Sequence, residues 1–390
     1  MKKEDVISFL VYIAMIVLAI VVGFVVLGPT FQTYGRYFPG GGQYNILFAL
    51  LFVLAAILFN VVMIEVSHIV GAKVSGYNVM SVNVLGFCFY KSVDKWKFAF
   101  RNFDGLTGET RIAPNKATAT PKAYCLFPLV FYVIEVAACM TLYYVFTNIA
   151  KADQSTNGHF MLIAILGIIF ITVGGMLELY NIFPARLDST TDGYRLVIMS
   201  KKENIEAYNE LMRIENAAVE GKVLDDMKTF DDITDFTAEV NLHTVYLELS
   251  LGNFEKAEKL IDKTLAAKDK VHKGVYFSAL AQKLFLIINS EKDIDDIKAF
   301  YDSEVNQDAR RAIANDLTME SIRAYLLISG ILDESEAECR YAISRKAKAL
   351  KRTPVGRQKI EGELFDKALD LIDKKHPDWK IKEEIIEQGE

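Results

Sequence analysis

Four long apolar stretches in the first half of the chain constrain its fold more than any other feature. Each has the roughly 20 mostly apolar residues that cross about 30 Å of hydrocarbon as a helix. The stretches are Ile7 to Leu27, Asn45 to Ala72, Tyr124 to Ile149 and Phe160 to Phe183. The sequence therefore predicts four transmembrane helices. The first exceeds the roughly 7–15 apolar residues of a signal peptide and no small-residue cleavage site follows it, so we expect a retained anchor.

Composition divides the chain into a membrane half and a water-soluble half. Hydrophobic residues make up 52% of the 390 residues and are concentrated in the first half, whereas charged residues are concentrated in the second. We predict three regions: an anchor with an external loop (1–44), a membrane core (45–199) and a cytoplasmic helical domain (200–390). The net charge of −6 is mild and dispersed, which gives no support to a nucleic-acid partner.

Lysine and arginine lie mainly in the loop between the second and third apolar stretches. Those residues are Lys73, Lys91, Lys95, Lys97, Arg101, Arg111, Lys116 and Lys122, while the other two connections offer little beyond Arg36 and Lys151. Because basic loops tend to stay in the cytoplasm, we predict a multi-pass plasma-membrane protein with both termini cytoplasmic. Lipid is thus one expected partner.

The cysteines are Cys88, Cys125, Cys139 and Cys339; their spacing suggests neither a disulfide framework nor a metal site.

Ionisable residues lie inside the apolar stretches, and those that we single out are Glu65, His68 and Glu135. Each costs at least about 2.5 kcal/mol at membrane depth, so each is a functional hypothesis. Glu65 and His68 are three residues apart and share one helix face, which we expect to point into the bundle. Alternatively, they only bond to neighbouring helices. The candidate partners in that case are Ser67, Asn60 and Asn181.

The segment Ile64 to His68 follows the HExxH pattern of zinc proteases, except at its first position. In that pattern two histidines four residues apart bind zinc and the glutamate activates water. Here isoleucine, which cannot coordinate zinc, replaces the first histidine. A second signal is "ELYNIFPARLDSTTDGYRL", in which Asn181 and Pro184 should end the fourth helix. The Asp192-Gly193 pair that follows can supply an oxygen ligand.

With both motifs in this order, the chain resembles the site-2 protease family of intramembrane zinc metalloproteases, over roughly Asn45 to Leu196. The resemblance implies a core of three transmembrane helices. It also implies that zinc is bound by two histidines and an aspartate. Residue by residue, it makes Glu65 the general base, His68 the second histidine ligand and Asp192 the aspartate ligand. Asp188 competes for the last role, but the sequence "TDGYRL" favours Asp192. Three further residues match the Asn-x-x-Pro…Asp-Gly segment: Asn181, Pro184 and Gly193.

The departure at Ile64 leads to two functional expectations. The first is a catalytically impaired relative, a pseudoprotease without a cofactor that binds a transmembrane or peptide partner. The second is an active zinc protease with a non-standard metal site, which would cleave such segments. None of the remaining histidines lies on the second helix; they are His159, His243, His272 and His376. A transporter accessory or assembly factor that uses the helices only as a scaffold is a third class.

Two further features of the membrane half have alternative interpretations. Glu135 has no counterpart in the family pattern, so it is either protonated or paired with His68. The stretch after Gly76, "YNVMSVNVLGFCFYKSVDKWKFAFRN", predicts β-strands at the membrane surface. In the family such a sheet presents an edge to an extended substrate, and edge pairing is a general way to bind peptides. The other interpretation is a hairpin that covers the bundle.

From about Ser200 onward the periodicity is helical and amphipathic. The segment Val240 to Asp269 resembles a tetratricopeptide repeat, with a Gly252-Asn253 turn between two amphipathic helices. Further helices are predicted at Lys273 to Asn289, Asp293 to Asp302, Leu317 to Ser329, Glu334 to Leu350 and Arg357 to Lys375. Such a repeat array would bind a protein partner. An irregular helical bundle is the alternative. The expected fold is therefore an all-α membrane protein with a small β segment and a cytoplasmic helical domain.

Overall fold

The computed structural model of the chain divides into two compact units, Met1–Ile205 and Glu206–Glu390. The first unit contains long apolar helices and a β-sheet, and the second is helical. The structure describes residues 3–37, 43–92, 95–100, 108–116, 119–152, 157–184, 191–290 and 293–382.

Long helices dominate the first unit. They are α1 (Lys3–Val22), α2 (Gly28–Tyr37), α3 (Gln43–Val74), α4 (Lys122–Ala152), α5 (Asn157–Ile182) and the shorter α6 (Asp192–Ile198), with a π-helical turn, Gly23–Leu27, between α1 and α2. Among the described residues, four helical spans are long and apolar enough to cross a membrane: Phe9–Thr33, Leu47–Val74, Lys122–Ile149 and Phe160–Ile182. The prediction of four such helices is confirmed, with bounds that differ by a few residues.

Helices α3, α4 and α5 pack against one another and form the centre of the first unit. Gly71 allows α3 to approach α4 closely, because a Cβ atom there would lie 2.9 Å from the carbonyl oxygen of Ala123. Polar side chains also join the helices: Asn60 of α3 donates to the carbonyl of Phe170 on α5 at 3.2 Å. Interhelical hydrogen bonds of this kind are a common stabilising contact in membrane proteins.

A small antiparallel sheet lies in the chain between α3 and α4, as the sequence predicts. Its strands are β1 (Tyr77–Val84), β2 (Phe87–Ser92), β3 (Lys95–Phe100) and β4 (Gly108–Pro114), in the order β3-β2-β1-β4. Leu85 and Gly86 join β1 to β2 with positive φ angles of 53° and 86°. Two such residues match the right-handed twist of a tight hairpin. Within the described residues β3 and β4 are therefore the edge strands.

The second unit consists of helices, most of them joined by short connections, with a longer one over residues 220–234 between α7 and α8. The helices from the unit boundary onward are α7 (Lys202–Val219), α8 (Asp235–Leu251), α9 (Phe254–Ala266), α10 (Lys273–Asn289), α11 (Ile294–Glu304), α12 (Gln307–Asn315), α13 (Met319–Leu327), α14 (Glu336–Arg352) and α15 (Val355–Lys375). Gly252 ends α8 in the left-handed region at φ +80°, the conformation that glycine adopts most readily. The predicted helical character of this half is confirmed.

A buried charge network lies inside the second unit. Arg323 of α13 is fully buried, and its guanidinium donates to Glu361 of α15 at 2.6 Å and to Gln282 of α10 at 2.9 Å. The same guanidinium lies over the ring of Phe285, 4.6 Å from its centroid. Because an unpaired charge inside a protein is costly, these contacts fix the relative positions of α10, α13 and α15.

Candidate functional site

Glu65 and His68 lie on one face of α3 and are both buried, at 4% and 6% exposure. The ring of His68 points to α6, where its Nε2 atom lies 2.8 Å from Oδ2 of Asp192. Asp192 is 2% exposed. The structure thus brings together Glu65, the expected base, with His68 and Asp192, the two expected ligands.

Asp192 is held in place by the end of α5 and by the start of its own helix. Asn181 donates to Oδ2 of Asp192 at 2.7 Å, and its amide oxygen accepts the backbone N–H of Asp192 at 3.3 Å. Thr191 caps α6 by accepting the N–H of Tyr194 at 3.1 Å, and its hydroxyl donates to the carbonyl of Phe183 at 2.7 Å. The predicted Asn181 motif therefore orients the aspartate directly.

Gly193 fills a position that no larger residue fits. A Cβ atom there would lie 1.8 Å from the carbonyl oxygen of Ile182, the last residue of α5. Pro184 follows two residues after α5 ends, as its helix-breaking character requires. The competing ligand candidate, Asp188, lies outside the described residues, which resume at Thr191.

Neighbouring groups keep the carboxyl group of Asp192 in its ionised form. Burial alone would raise the pKa of Asp192, but the adjacent His68, Arg195 and Asn181 outweigh burial and lower the pKa below its ordinary value. Arg195 contributes a second contact, with its Nη1 atom 3.4 Å from Oδ1 of Asp192. Oppositely charged and hydrogen-bonded neighbours favour the charged form of a carboxyl group.

Glu65 is held by strand β4. Thr110 donates its hydroxyl to Oε2 of Glu65 at 2.5 Å. A Cβ atom on Gly108 would lie 2.4 Å from the Glu65 side chain, so only glycine allows the strand to pass this close. The other ring nitrogen of His68, Nδ1, lies 3.6 Å from Oε2 of Glu65, beyond hydrogen-bond length, and has no hydrogen-bond partner within the described residues.

Tyr124, at the start of α4, completes the wall around His68. Its ring stacks on the imidazole with 4.5 Å between centroids and 15° between planes. Its hydroxyl donates to the backbone carbonyl of Thr110 at 3.0 Å. Sequence reasoning missed both Tyr124 and Thr110, because neither belongs to a motif and both are placed by the strand-to-helix connection.

Ile64 provides no donor atom at the position of the first histidine in the HExxH pattern. Its carbonyl accepts the hydroxyl of Ser67 at 2.6 Å, so Ser67 is not a partner of Glu65 or His68. Within the described residues, no group of three or more His, Cys, Asp or Glu side chains is arranged to hold a metal ion. The thiol of Cys125, buried on α4, interacts with the carboxylate of Asp192.

Glu135 does not pair with His68, which was one of the two expectations for it. The imidazole bonds to Asp192 instead, and Oε1 of Glu135 is buried without a hydrogen-bond partner in the described part of the chain. Asn60 of α3 is a polar neighbour of Glu135, and its amide N–H groups donate to the carbonyls of Ala56 and Phe170. Asn60 and Glu135 are therefore polar neighbours on α3 and α4, and the buried Glu178 of α5 interacts electrostatically with Glu135 as well as with His68 and Asp192.

No protein-family model matches this chain, and comparisons with curated proteins and with solved structures give no match. Its function has to be argued from the chemistry of the site.

Proposed function

We propose that the chain is a pseudoprotease of the site-2 protease type: a multi-pass plasma-membrane protein, with both termini cytoplasmic, that binds a partner instead of cleaving it. The observation that carries the proposal is the direct 2.8 Å contact between His68 and Asp192, next to an isoleucine at position 64. Two residues that would share a metal ion bind each other instead. A hydrogen-bonded pair of this kind gives each group a partner without a cofactor.

The residues at this site do not fit a catalytic zinc ion. Such sites normally have three protein ligands, at about 2.0–2.2 Å for nitrogen and oxygen, and an open fourth position for water. His68 and Asp192 supply two donors, and Ile64 supplies none at the third position. Glu65, the expected base, accepts a hydrogen bond from Thr110 at 2.5 Å. We therefore assign no hydrolytic step to this site.

The features that favour partner binding lie around the site. Strand β4 passes directly over Glu65 and pairs with β1 on one side, while its other edge carries no strand within the described residues. An extended peptide or an unwound part of a transmembrane segment can add to such an edge through backbone hydrogen bonds. In this proposal the membrane core is a receptor for that segment.

The second unit supports an interaction role in the cytoplasm. Helices α8 and α9 form an antiparallel pair joined at Gly252, and α10 packs against both. Stacked helix pairs that share one core are the building principle of repeat domains that bind proteins. We propose that this unit has a tetratricopeptide-like architecture and that a protein partner binds to it.

Metal analysis of the purified full-length chain tests the proposal. After exposure to zinc and removal of the excess, we expect far less than one zinc per chain and no cleavage of an unfolded transmembrane peptide. An amount close to one zinc per chain that is lost in Asp192→Ala would refute the pseudoprotease assignment. An Arg195→Gln variant is the matched control, because it changes a neighbour of Asp192 that has no role as a ligand.

A second candidate, an active protease with a non-standard zinc site, is favoured by one contact. Cys125 lies against Asp192, and a thiolate is a strong zinc ligand. A Cys125, His68 and Asp192 site would require His68 and Asp192 to give up their direct hydrogen bond. Zinc that is retained by the wild type and lost in Cys125→Ser would support this candidate.

A further inference from the structure

One face of the hairpin formed by β2 and β3 is almost entirely aromatic. Its members, here called the aromatic face, are Phe87, Phe89, Trp96, Phe98 and Phe100. The strand register places Phe87 opposite Phe100 and Phe89 opposite Phe98, so all five project to the same side of the sheet.

The four phenylalanines of the aromatic face contact one another. Phe89 and Phe98 have ring centroids 5.1 Å apart, and Phe87 meets Phe100 edge-to-face at 5.5 Å. Their exposed fractions nevertheless range from 50% for Phe87 to 67% for Phe100. Soluble proteins rarely leave such a contiguous aromatic patch in water, so this face needs an occupant.

The side chains of the aromatic face are about as exposed as the most exposed apolar side chains on the membrane-spanning helices. Leu50 of α3 is 64% exposed and Ile134 of α4 is 60% exposed in the same structure. Within the second unit, by contrast, the large exposed apolar residues are scattered over different elements. They are Val219, Val223, Leu251, Tyr341 and Val355. The aromatic face thus resembles the surface of the first unit that is expected to lie in lipid.

The position of the hairpin in the chain also indicates that lipid covers the aromatic face. Strand β1 begins three residues after α3 ends at Val74, and β4 is followed by α4, which begins at Lys122. The sheet is therefore connected to the C-terminal end of α3 and to the N-terminal end of α4. In the predicted topology these two helix ends lie on the same side of the membrane. Lys91 lies opposite Trp96 in the register and on the same face, whereas Lys95 and Lys97 flank Trp96 on β3 and project from the opposite face. Aromatic rings beside lysines are typical of the membrane-water interface, where anionic headgroups attract the ammonium groups.

From these observations we infer that the aromatic face is embedded in the leaflet of the bilayer next to the site, with Lys91 and the two lysines that flank Trp96 at the headgroups. This inference rests on the proposed membrane location and adds to it a specific lipid-binding surface. The hairpin of β2 and β3 belongs to the same sheet as β4, the strand that holds Glu65. Lipid contact would then fix the depth of β4 relative to α3.

The chain offers a direct test, because it contains two tryptophans, Trp96 and Trp379. Trp379→Phe leaves Trp96 as the reporter in full-length protein reconstituted into phosphatidylcholine vesicles. We expect lipids brominated at carbons 6 and 7 of the acyl chain to reduce the emission of Trp96 to less than half of its value in unbrominated vesicles. Acrylamide in the water should have little effect. If Trp379→Phe does not fold, Trp379→Tyr permits the same measurement, because it keeps a ring to stack on His376 and adds a polar group at the ring edge.

Two control variants separate the possible outcomes. Trp96→Phe leaves Trp379, in the second unit, and should show no quenching by bromine. A tryptophan at Ile134 of α4, introduced as Ile134→Trp after both native tryptophans are replaced by Phe, should be strongly quenched. Quenching of that reporter without quenching of Trp96, together with access of acrylamide to Trp96, would overturn the lipid inference alone. Absence of quenching at both positions would overturn the membrane location and the inference together.

Discussion

Nε2 of His68 lies 2.8 Å from Oδ2 of Asp192, a contact that joins α3 to α6 across 124 positions of the chain. Both side chains are buried, and Asn181 adds a second hydrogen bond to the same carboxylate oxygen at 2.7 Å. This contact connects the two sequence motifs, and in the proposed function it takes the place of a shared metal ion.

Asp192→Ala should destabilise the first unit strongly. The change leaves the imidazole of His68 buried without its acceptor, and breaking a buried pair costs about 3–5 kcal/mol. The measurement is the free energy of unfolding of the full chain in detergent. Glu109→Ala is the matched control, because that carboxylate is 54% exposed beside Arg111 and should cost no more than about 0.5 kcal/mol. Equal losses for the two variants would contradict the structural role of the pair.

Thr110→Val should lower stability because it removes the hydroxyl that donates to Glu65 at 2.5 Å. A buried acceptor left without a donor costs about 1–3 kcal/mol. Thr110→Ser keeps the hydroxyl and should recover most of that loss. The comparison is made by thermal unfolding, and a loss in Ser as large as that in Val would show that packing of the methyl group, not the hydrogen bond, holds the strand.

Gly193→Ala should disrupt the junction between α5 and α6. A Cβ atom at this position would lie 1.8 Å from the carbonyl oxygen of Ile182, so the backbone has to move and carry Asp192 away from His68. We expect a lower thermal midpoint and faster limited proteolysis of the segment between α5 and α6. Gly167→Ala is the control on α5, because its Cβ atom would meet its nearest neighbour at 3.4 Å. Similar behaviour of the two variants would count against the close packing at Gly193.

His243 should make the second unit less stable in mild acid. Burial and the neighbouring Arg357, whose Nη2 atom lies 3.1 Å from Nε2 of His243, lower the pKa of this histidine well below its ordinary value. As the pH falls below about 6.5, the unfolded chain takes up a proton that the folded chain does not. The free energy of unfolding should therefore decrease by up to about 1.4 kcal/mol per pH unit.

His243→Gln tests this prediction, since its amide oxygen still accepts from Arg357 but does not titrate. Denaturant unfolding of wild type and variant between pH 7.5 and 5 should give curves that diverge below pH 6.5, with the wild type falling more steeply. Parallel curves would mean that His243 takes up its proton equally in the folded and unfolded chain. His272 and His376 are present in both proteins and do not affect the comparison.

Apolar length and helical periodicity predicted the framework of this fold because they act locally. The second apolar stretch, predicted from Asn45 to Ala72, corresponds to the span Leu47–Val74, and the helix predicted at Lys273 to Asn289 is α10 with the same bounds. That His68 and Asp192 lie at one site was expected only through the resemblance of two motifs to one family, and their direct contact was not expected. Neither composition nor periodicity contains the distance between α3 and α6.

The residues that sequence reasoning missed depend on tertiary geometry. Thr110 reaches Glu65 from 45 positions away because the register of β1 with β4 brings that strand over α3. Tyr124 reaches His68 because Gly71 lets α4 approach α3. No local pattern encodes either approach. The expected pairing of Glu135 with His68 was wrong for the same reason, since the direction of a side chain within a bundle depends on how its helices pack.

Zinc content of Ile64→His beside the wild type tests the central claim most directly, which is that an isoleucine has replaced the ligand that a metal needs. Both full-length proteins are exposed to the same zinc concentration, freed of excess metal and analysed by mass spectrometry. We predict close to one zinc per chain in Ile64→His, lost again in the double variant with Asp192→Ala, and far less than one in the wild type. Equal, near-stoichiometric zinc in the wild type and in Ile64→His would contradict the account.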